Sequence, residues 1–495
     1  MTLNITLDPA ETEPLFLQIA ARVRSAIVAG HIAAGAKLPS ARALAAQLAV
    51  ARGTVDAAYA LLAGEGAIMT RGAAGTVVSG TSRTEAMEHT PFMFAPEAAA
   101  TQPGPLPFQM GLPALDEFPR KLWSNLTVQA ARAAQPADLA ATDPSGLPEL
   151  RQAIATYLGV ARGIRCSAAQ VLVTAGYQGA LSLVRSVLLR HGDPVWIEDP
   201  GYAMTREALE TAGARVVPIR VDPDGLRVAS GVVAAPKAKL AVVTPTHQCP
   251  TGVALSLPRR LELLAWATDN GSWVLEDDYD SEFRYIGRPL PSLKSLDRGH
   301  RVLYAGTFSK VLFPALRLGY LVVPPELATA FMRAARLLTL GQPALEQKII
   351  AAFMQRGHFA RHIRRMRMLY AERRKALAAA LETTFGPRVV VEMAAGGMHL
   401  LARFPGAADD TALAKRAAAV GLAPSTLSSH TMAHDRGQGL LLSFTNIPAD
   451  AAATTVARLA RVVDRSASDI GLTMTPPPCD FVPAPEIPSG HDEAR

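Results

Sequence analysis

The stretch Trp273-Val-Leu-Glu-Asp-Asp-Tyr279 turns from apolar to acidic residues at a point where a short buried strand would end. Other short apolar runs alternate with helical patterns along the chain; they are Val171-Leu-Val-Thr174, Pro194-Val-Trp-Ile197, Leu240-Ala-Val-Val-Thr244 and Val302-Leu-Tyr-Ala305. Near-continuous apolar strands between helices are typical of a parallel sheet that is covered on both faces. The sequence therefore predicts an α/β domain with a mostly parallel central sheet over residues 108–465.

The acidic end of this stretch supplies two candidate site residues. Ligands of open α/β sheets bind beyond the carboxyl ends of the strands, which is where Asp277 and Tyr279 are expected. An ionised Asp277 could keep a ring nitrogen of a cofactor protonated, and Tyr279 could hydrogen-bond a ring oxygen. A solvated acidic loop or a metal site is the alternative, but acids without a nearby histidine fit a transition metal poorly, so no metal site is predicted.

Lys310 follows another of these apolar runs, in Thr307-Phe-Ser-Lys310. A cofactor that reacts through an imine needs a lysine, a carboxylate, a donor for its ring oxygen and a phosphate cradle. A lysine beyond a strand is more often a surface residue, but its neighbours favour the catalytic alternative. Thr307 and Ser309 carry hydroxyl donors suited to phosphate, and Arg317 could bind the same phosphate through two hydrogen bonds.

A glycine-containing turn and one tyrosine complete the candidate cofactor site. Gly176, Tyr177 and Gln178 open a helix directly after the run that ends at Thr174, and amides at a helix N-terminus bind phosphate. Many such turns only allow tight packing, so this signal is weak alone. Tyr202, in Asp199-Pro-Gly-Tyr202, could stack on a cofactor ring, with an ordinary turn aromatic as the equal alternative.

Residues 1–80 show helical periodicity followed by a Gly-rich, β-branched segment, which predicts a winged helix-turn-helix. Ser40 precedes a run of strong helix formers and is the predicted N-cap of the second helix. Arg42, Arg52 and Arg71 fall at the starts of two helices and at the hairpin tip, where guanidinium groups can contact phosphates or guanine. From the residues alone, a helical dimerisation unit with solvated arginines is an equal alternative.

Two segments lack periodicity. Residues 81–107, rich in Pro, Thr, Ala and Gly, are predicted to be a linker, and residues 466–495 a disordered tail.

The composition of the whole chain excludes several classes of protein. Among 495 residues, 49% are hydrophobic, which excludes a wholly disordered protein. No apolar run reaches the roughly 18 residues of a membrane span, and the start of the sequence, with acids and no base, predicts no signal peptide. Three scattered cysteines exclude a disulfide framework, so we expect a cytoplasmic protein without membrane association.

The first 80 residues also carry a family resemblance. Residues 15–79 resemble the DNA-binding domain of the GntR family of bacterial regulators, in the stretches Leu15-Phe-Leu-Gln-Ile19, Leu38-Pro-Ser-Ala-Arg-Ala-Leu-Ala45, Arg52-Gly-Thr-Val55, Ala58-Tyr59 and Gly72-Ala-Ala-Gly-Thr-Val77. The resemblance implies a double-stranded DNA operator as partner. It also implies that the contacts to DNA come from Ser40, Arg42, Arg52 and Thr54, and from Arg71, Gly72, Gly75 and Thr76 in the wing.

Residues 108–465 resemble the aminotransferase-like, fold type I enzymes that use pyridoxal 5′-phosphate. The stretches that carry the resemblance are Asp143-Pro-Ser-Gly-Leu147, Asp199-Pro-Gly-Tyr202, Thr244-Pro-Thr-His-Gln-Cys-Pro-Thr-Gly252, Glu276-Asp-Asp-Tyr-Asp-Ser-Glu-Phe-Arg-Tyr285 and Thr307-Phe-Ser-Lys310. By this resemblance Lys310 forms the imine, Asp277 pairs with the pyridine nitrogen and Tyr279 contacts the ring oxygen. The fusion of both halves resembles the MocR subfamily of regulators, which implies a head-to-tail homodimer.

Two departures from these families affect the expected function. Cys249 stands where transaminases have an asparagine that contacts the ring, and Gly439-Leu-Leu-Leu-Ser443 carries leucine where they place an arginine for the substrate carboxylate. Arg206 and Arg436 are possible substitutes. His247 is a further candidate site residue, with a structural histidine as the equal alternative.

These observations leave three hypotheses. The leading one is a transcriptional regulator whose large domain senses pyridoxal phosphate, or an adduct of it with an amino compound, and so controls operator binding. The second is a working aminotransferase with an appended DNA-binding domain, and some transamination is compatible with the first hypothesis too. The third is a regulator that binds no cofactor, which the joint presence of Lys310, Asp277, Tyr279 and Arg317 disfavours.

Overall fold

The computed structural model describes residues 3, 5–8, 13–70, 75–79, 104–140, 142–288, 290–406 and 409–469. The chain divides into two compact units, Met1–Thr101 and Gln102–Arg495. Within the described residues, no helix is both long enough and apolar enough to cross a membrane.

The smaller unit consists of three helices and a two-stranded antiparallel sheet. In chain order its elements are α1 (Leu15–Val28), α2 (Ala41–Leu48), α3 (Arg52–Gly64), β1 (Ile68–Thr70) and β2 (Thr76–Val78). The apolar face of α1 packs against α3 around fully buried Ile19, Val23 and Val55. The Ser40 hydroxyl accepts a hydrogen bond from the Ala43 amide (3.2 Å), so Ser40 caps α2 as the sequence predicts.

The larger unit is built on a mixed, mostly parallel sheet of eight strands. Its strands are β3 (Val171–Thr174), β4 (Pro194–Asp199), β5 (Arg215–Asp222), β6 (Gly225–Leu226), β7 (Leu240–Val243), β8 (Trp273–Asp278), β9 (Val302–Thr307) and β10 (Gly319–Val322). Their spatial order is β3-β10-β9-β8-β7-β4-β5-β6. β10 runs antiparallel to both β3 and β9, and β6 is antiparallel to β5.

Helices cover both faces of this sheet. The helices of the larger unit are α4 (Arg120–Arg132), α5 (Pro148–Arg162), α6 (Gly176–Leu188), α7 (Ala203–Thr211), α8 (Val228–Ala234), α9 (Leu257–Asn270), α10 (Leu293–Leu296), α11 (Ala328–Leu338), α12 (Ala344–Gln355), α13 (His358–Phe385), α14 (Asp410–Ala419) and α15 (Ala452–Asp469). Successive residues of β3 point to opposite faces of the sheet. Val173 packs with α5, α12 and α13, whereas Leu172 packs with α6 and α11. Burial on both sides explains why these strands read as continuous apolar runs.

A second, antiparallel sheet of four strands forms beyond α13. Its strands are β11 (Val390–Glu392), β12 (His399–Arg403), β13 (Ser425–Thr426) and β14 (Leu440–Ser443), in the order β11-β12-β14-β13. Residues 104–107, from the predicted linker, are bonded to this part of the unit: the Ala423 amide donates to the Pro107 carbonyl (2.9 Å), and the Asn446 side chain donates to the Leu106 carbonyl (2.6 Å). At the other end, α15 extends to Asp469, and the remainder of the predicted tail lies outside the described residues.

Candidate functional site

The sheet brings the predicted cofactor residues to one edge. β4, β7, β8 and β9 are parallel neighbours, and β3 has the same direction because β10 is antiparallel to both β3 and β9. Their carboxyl ends therefore face the same side. Gly176 follows β3, Lys310 follows β9, Asp277 is the penultimate residue of β8 and Tyr202 follows β4.

Lys310 is part-buried, and its amine has one hydrogen-bond partner among the described residues. Its Nζ atom donates to the Gly111 carbonyl at 3.2 Å. Gly111 has a φ of +76°, and a Cβ atom at this position would overlap Lys310 Nζ, so only glycine allows this approach. Burial lowers the pKa of Lys310 from its ordinary value, although Cys249 and Asp277 act in the opposite direction.

Asp277 is buried at the end of β8, and its carboxylate accepts no hydrogen bond from the residues that the structure describes. Burial raises the pKa of Asp277 well above its ordinary value, and the neighbouring Asp278 adds to the rise, while the Lys310 ammonium opposes it. A buried carboxylate without a donor is costly, and a protonated ring nitrogen would supply both the missing donor and the opposite charge.

The turn before α6 offers free donors, as the sequence predicts for a phosphate site. α6 begins at Gly176 without a side-chain cap, so its first amides have no partner inside the helix. The Gln178 Nε2 atom is buried and has no hydrogen-bond partner among the described residues.

The other predicted phosphate ligands lie around Lys310. Thr307 accepts a hydrogen bond from the Ser309 amide (3.1 Å), which shapes the turn before Lys310. Arg317 is exposed, and its left-handed backbone (φ +51°) is unusual for a residue with a side chain.

Tyr177 and Tyr202 flank a narrow cavity of about 20 Å³ that Asp277 also lines. Their ring centroids are 6.3 Å apart, and the Tyr177 hydroxyl is 2.9 Å from the Thr205 hydroxyl. Burial raises the pKa of Tyr202 to about 12, so its hydroxyl stays neutral at physiological pH. Tyr202, predicted to stack on a cofactor ring, and Asp277, predicted to pair with the ring nitrogen, thus line one cavity.

The Tyr279 hydroxyl contacts a histidine, and this histidine contacts an aspartate. The His247 Nδ1 atom is 3.0 Å from the Tyr279 hydroxyl and 3.0 Å from Asp280 Oδ2. His247, Asp280 and the nearby His399 are all buried. The sequence motif indicated His247 but not its partner, since an aspartate within an acidic run carries no signal of its own.

A second layer of buried charges supports the strand ends. Arg162 forms an ion pair with Asp278 (2.7 Å), and the Tyr304 hydroxyl donates to the same carboxylate (2.5 Å). Glu198 accepts hydrogen bonds from the Thr244 hydroxyl (2.5 Å) and amide (3.2 Å). Burial raises the pKa of Glu198 to about 7. Sequence reasoning missed this layer, and it also missed Gly111, whose only signal was a glycine far from every motif.

Cys249 and the leucines of β14 are the positions at which the sequence departs from the transaminases. Burial raises the pKa of the Cys249 thiol well above its ordinary value, and Cys249 is close enough to Lys310 to act on its amine. Leu440, Leu441 and Leu442 of β14 are fully buried, so this strand offers no cation to a substrate carboxylate.

In the smaller unit, the predicted DNA-contacting residues lie at the helix starts and the hairpin. Arg42 and Arg52 are exposed in the first turns of α2 and α3, and Thr54 is half-buried. Arg52 Nε is 3.4 Å from Asp56 Oδ2 one turn along α3. Gly75 (φ +91°) leads into Thr76 of β2, whereas Arg71 and Gly72 lie outside the described residues.

Comparison with known proteins identifies the family. Residues 15–78 match the model of the bacterial regulatory proteins of the gntR family, and residues 118–430 match aminotransferase class I and II. The chain is 35% identical over 457 residues to the probable rhizopine catabolism regulatory protein MocR of Rhizobium meliloti, covering 90% of this chain and 92% of the relative. The chain belongs to the MocR type of GntR-family transcriptional regulators. It is also 35% identical over 465 residues to the regulator TauR of Rhodobacter capsulatus, with 89% and 95% of the two chains covered.

The large unit of this MocR-type regulator has the fold type I architecture. It is similar to LysN, the alpha-aminoadipate aminotransferase of Thermus thermophilus, at 29% identity and a TM-score of 0.67, covering 73% of this chain and 93% of LysN. LysN was solved with N-(5′-phosphopyridoxyl)-L-leucine. The domain is therefore a pyridoxal phosphate-binding domain, and the unpartnered Asp277 carboxylate, the Gln178 amide and the uncapped α6 fit that cofactor.

Proposed function

We propose that this regulator senses pyridoxal 5′-phosphate, or an amino compound that reacts with it, at Lys310, and that occupancy controls operator binding by the N-terminal unit. The observation that carries the proposal is the Lys310 amine, which burial makes less basic and which has one carbonyl as its partner among the described residues. An amine with a lowered pKa is more often neutral, and the neutral amine is the nucleophile.

Each neighbouring group has a proposed task. When bound, pyridoxal phosphate supplies an aldehyde that condenses with amines and a ring that withdraws electrons. Asp277 would hold the ring nitrogen protonated, and Tyr279 would hydrogen-bond the ring oxygen. Tyr202 would stack on the ring. The phosphate would be bound by the amides and side chains of Gly176, Tyr177, Gln178, Thr307, Ser309 and Arg317.

Operator binding is proposed to involve both units. Ser40, Arg42, Arg52 and Thr54, with Arg71, Gly72, Gly75 and Thr76 of the wing, would contact double-stranded DNA. An effector controls binding only if it favours one arrangement of the DNA-binding units over another. Two such units in a head-to-tail homodimer would read two half-sites, and a DNA-binding regulator is expected to act in the cytoplasm.

Exposed apolar residues support the homodimer. Leu337, Leu338 and Leu340, at the end of α11 and just after it, are all exposed. Contiguous exposed apolar patches mark surfaces where proteins interact. Sedimentation of the full chain across concentrations measures the oligomeric state, and a monomer at every concentration would contradict this part of the proposal.

The central experiment is the visible absorption spectrum of the purified protein with pyridoxal phosphate, before and after borohydride. We expect a yellow band that borohydride removes while fixing the cofactor covalently to Lys310. Lys310→Ala is expected to fold normally but to lose the band and the reducible covalent link. Lys237→Ala, at an exposed lysine of the same unit, is the matched control and should behave as wild type.

DNA binding is measured in parallel with the same proteins. Operator affinity should change with the cofactor in wild type and in Lys237→Ala, and should not respond in Lys310→Ala. A colourless wild-type protein, or a covalent adduct that persists in Lys310→Ala, would refute the role of Lys310. An affinity that ignores the cofactor in a coloured wild type would refute sensing but not binding.

Aminotransferase turnover is the second candidate function, favoured by the same lysine and carboxylate. The buried leucines of β14 argue against efficient binding of an amino acid carboxylate. Assays against a panel of amino and keto acids separate the two functions. Turnover comparable to that of a metabolic enzyme would reverse their order.

A further inference from the structure

The orientation of the Tyr279 hydroxyl depends on which nitrogen of His247 carries the hydrogen. The His247 Nδ1 atom is the one hydrogen-bond partner of this hydroxyl among the described residues (3.0 Å). If Nδ1 carries the hydrogen, the histidine donates and the tyrosine hydrogen is free to point elsewhere. If Nδ1 is bare, the tyrosine donates its only hydrogen to the histidine.

Asp280 decides between these two tautomers. Its Oδ2 atom is also 3.0 Å from His247 Nδ1, although it lies off the axis of a well-formed hydrogen bond. A bare nitrogen would place its lone pair against a buried carboxylate oxygen, which is repulsive, whereas an N–H places a partial positive charge there. The carboxylate therefore favours the tautomer with hydrogen on Nδ1.

The other nitrogen of His247 agrees with this assignment. Within the described part of the chain, Nε2 is buried and has no hydrogen-bond partner, and the whole side chain is 4% exposed. A hydrogen on Nε2 would be a buried donor without an acceptor, which is costly. His399, whose ring centroid is 5.4 Å from that of His247, donates its own Nε2 hydrogen to the Pro250 carbonyl.

Two glycines make room for this imidazole. A Cβ atom at Gly397 would overlap His247 Cε1, and a Cβ atom at Gly252 would lie 3.1 Å from Nε2. Both glycines have positive φ values, a backbone conformation that favours glycine over residues with a side chain. The ring is thus fixed in position by packing, and its tautomer by one charge.

We propose that His247, held by Asp280, is a positioning residue that makes Tyr279 a hydrogen-bond donor toward the ring oxygen of the bound cofactor. This inference rests on the proposed function, in which Tyr279 contacts that oxygen. Burial holds the pKa of Tyr279 well above its ordinary value, so the hydroxyl keeps its hydrogen across the working pH range. A donor at the ring oxygen stabilises its ionised form, which makes the cofactor-bound nitrogen of Lys310 lose its proton more easily.

The test is a pH titration of the visible colour of the cofactor-loaded full chain. The midpoint of the colour change reports the proton on the Lys310–cofactor link. The groups that act on Lys310 or Tyr279 and stay unchanged in every variant are Glu198, Cys249, Asp277 and Asp280. Tyr279→Phe is expected to raise the midpoint by about one pH unit, a tenfold change in proton affinity.

The variants of His247 separate positioning from packing. His247→Phe keeps the ring but removes the donor, and should raise the midpoint in the same direction by a smaller amount. The double variant with Tyr279→Phe should match Tyr279→Phe alone, because His247 acts on the ring oxygen only through the Tyr279 hydroxyl. His247→Asn places a nitrogen near the Nδ1 position and should have the wild-type midpoint. His247→Gln places its nitrogen near the Nε2 position and should have a raised midpoint, as His247→Phe does.

Each outcome decides the inference. A midpoint in His247→Phe equal to wild type, or an additive shift in the double variant, would overturn it. If His247→Phe does not fold, the comparison of His247→Asn with His247→Gln decides alone, and equal midpoints in these two would overturn the inference. A wild type that stays colourless with pyridoxal phosphate would overturn the proposed function and this inference together. A coloured wild type whose variants show the contrary midpoints would overturn this inference alone.

Discussion

The two units of this regulator place their charged groups in opposite ways. In the smaller unit, Arg52 and Asp56 form an ion pair on α3 with side chains 70% and 51% exposed. In the larger unit, Arg162 and Asp278 form an ion pair with side chains 5% and 2% exposed, and Asp278 follows Asp277 in β8. Exposed pairs contribute little to stability and are free to exchange partners. Buried pairs cannot exchange, so the fold and the site of the larger unit depend on the same residues.

The strongest test of this contrast is to break the buried pair. Arg162→Met should lower the free energy of unfolding of the larger unit by about 3–5 kcal/mol, because it leaves Asp278 buried without an opposite charge. Burial by itself lowers the pKa of Arg162, but the Asp278 carboxylate reverses this, and the pKa ends above its ordinary value. Urea unfolding of the full chain, followed by fluorescence, measures the loss.

The matched control for this variant removes both charges. Arg162→Met combined with Asp278→Asn should regain part of the lost stability, since no ion is then left unpaired. A single variant with the urea midpoint of wild type would show that the buried pair is not needed by the fold.

The next test uses the pH dependence of stability. Burial raises the pKa of Glu198 from 4.5 to about 7, so the folded protein holds this proton more tightly than the unfolded chain. The resulting stabilisation is complete below about pH 4.5 and is lost as the pH rises through about 7. It amounts to on the order of 3 kcal/mol, at about 1.4 kcal/mol for each pKa unit.

Glu198→Gln should remove this part of the pH dependence. Thermal unfolding of wild type and variant at several pH values between about 4.5 and 8 measures the difference. Glu276 and Glu282, whose pKa values burial also raises to about 7, are present in both proteins and cancel in the comparison. Parallel curves for the two proteins would contradict the assignment to Glu198.

The smallest expected effect lies in the exposed unit and concerns DNA rather than stability. Arg52→Ala should weaken operator binding by roughly 1–3 kcal/mol at fixed salt if the guanidinium reads a base. Its urea midpoint should equal that of wild type, because the lost ion pair is exposed. Arg24→Ala, at an exposed arginine paired with Glu65 in the same unit, is the control and should bind the operator as wild type does. Unchanged operator affinity in Arg52→Ala would remove it from the DNA interface.

The sequence was most informative where function follows a buried strand. The apolar runs that end near Asp277 and Lys310 are strands, and their carboxyl ends meet at one edge because a parallel sheet requires it. This placed the candidate residues together without any knowledge of distances. The N-cap of α2 was equally accessible, since a serine before helix formers is a local signal.

Contacts between distant parts of the chain could not be read in the same way. Gly111 and Lys310 are 199 residues apart, and Tyr157 bonds Glu282 across 125 residues. Neither pair has a periodic or spacing signal, because only the folded chain brings them into contact. The antiparallel insertion of β10 between β3 and β9 is a further feature that apolar patterning cannot reveal, since buried strands of either direction look alike.

The hydrogen bond between Lys310 and Gly111 also bears on how occupancy of the site would be communicated in the proposed function. Gly111 lies in the first stretch of the larger unit, and neighbouring Leu106 and Pro107 are bonded to the part of the unit that contains β14. A lysine joined to a cofactor, as proposed for Lys310, would have fewer hydrogens to give, so this carbonyl would lose its donor when the site fills. In the proposed function, the segment through which the chain enters the large domain would therefore respond to the state of the Lys310 nitrogen.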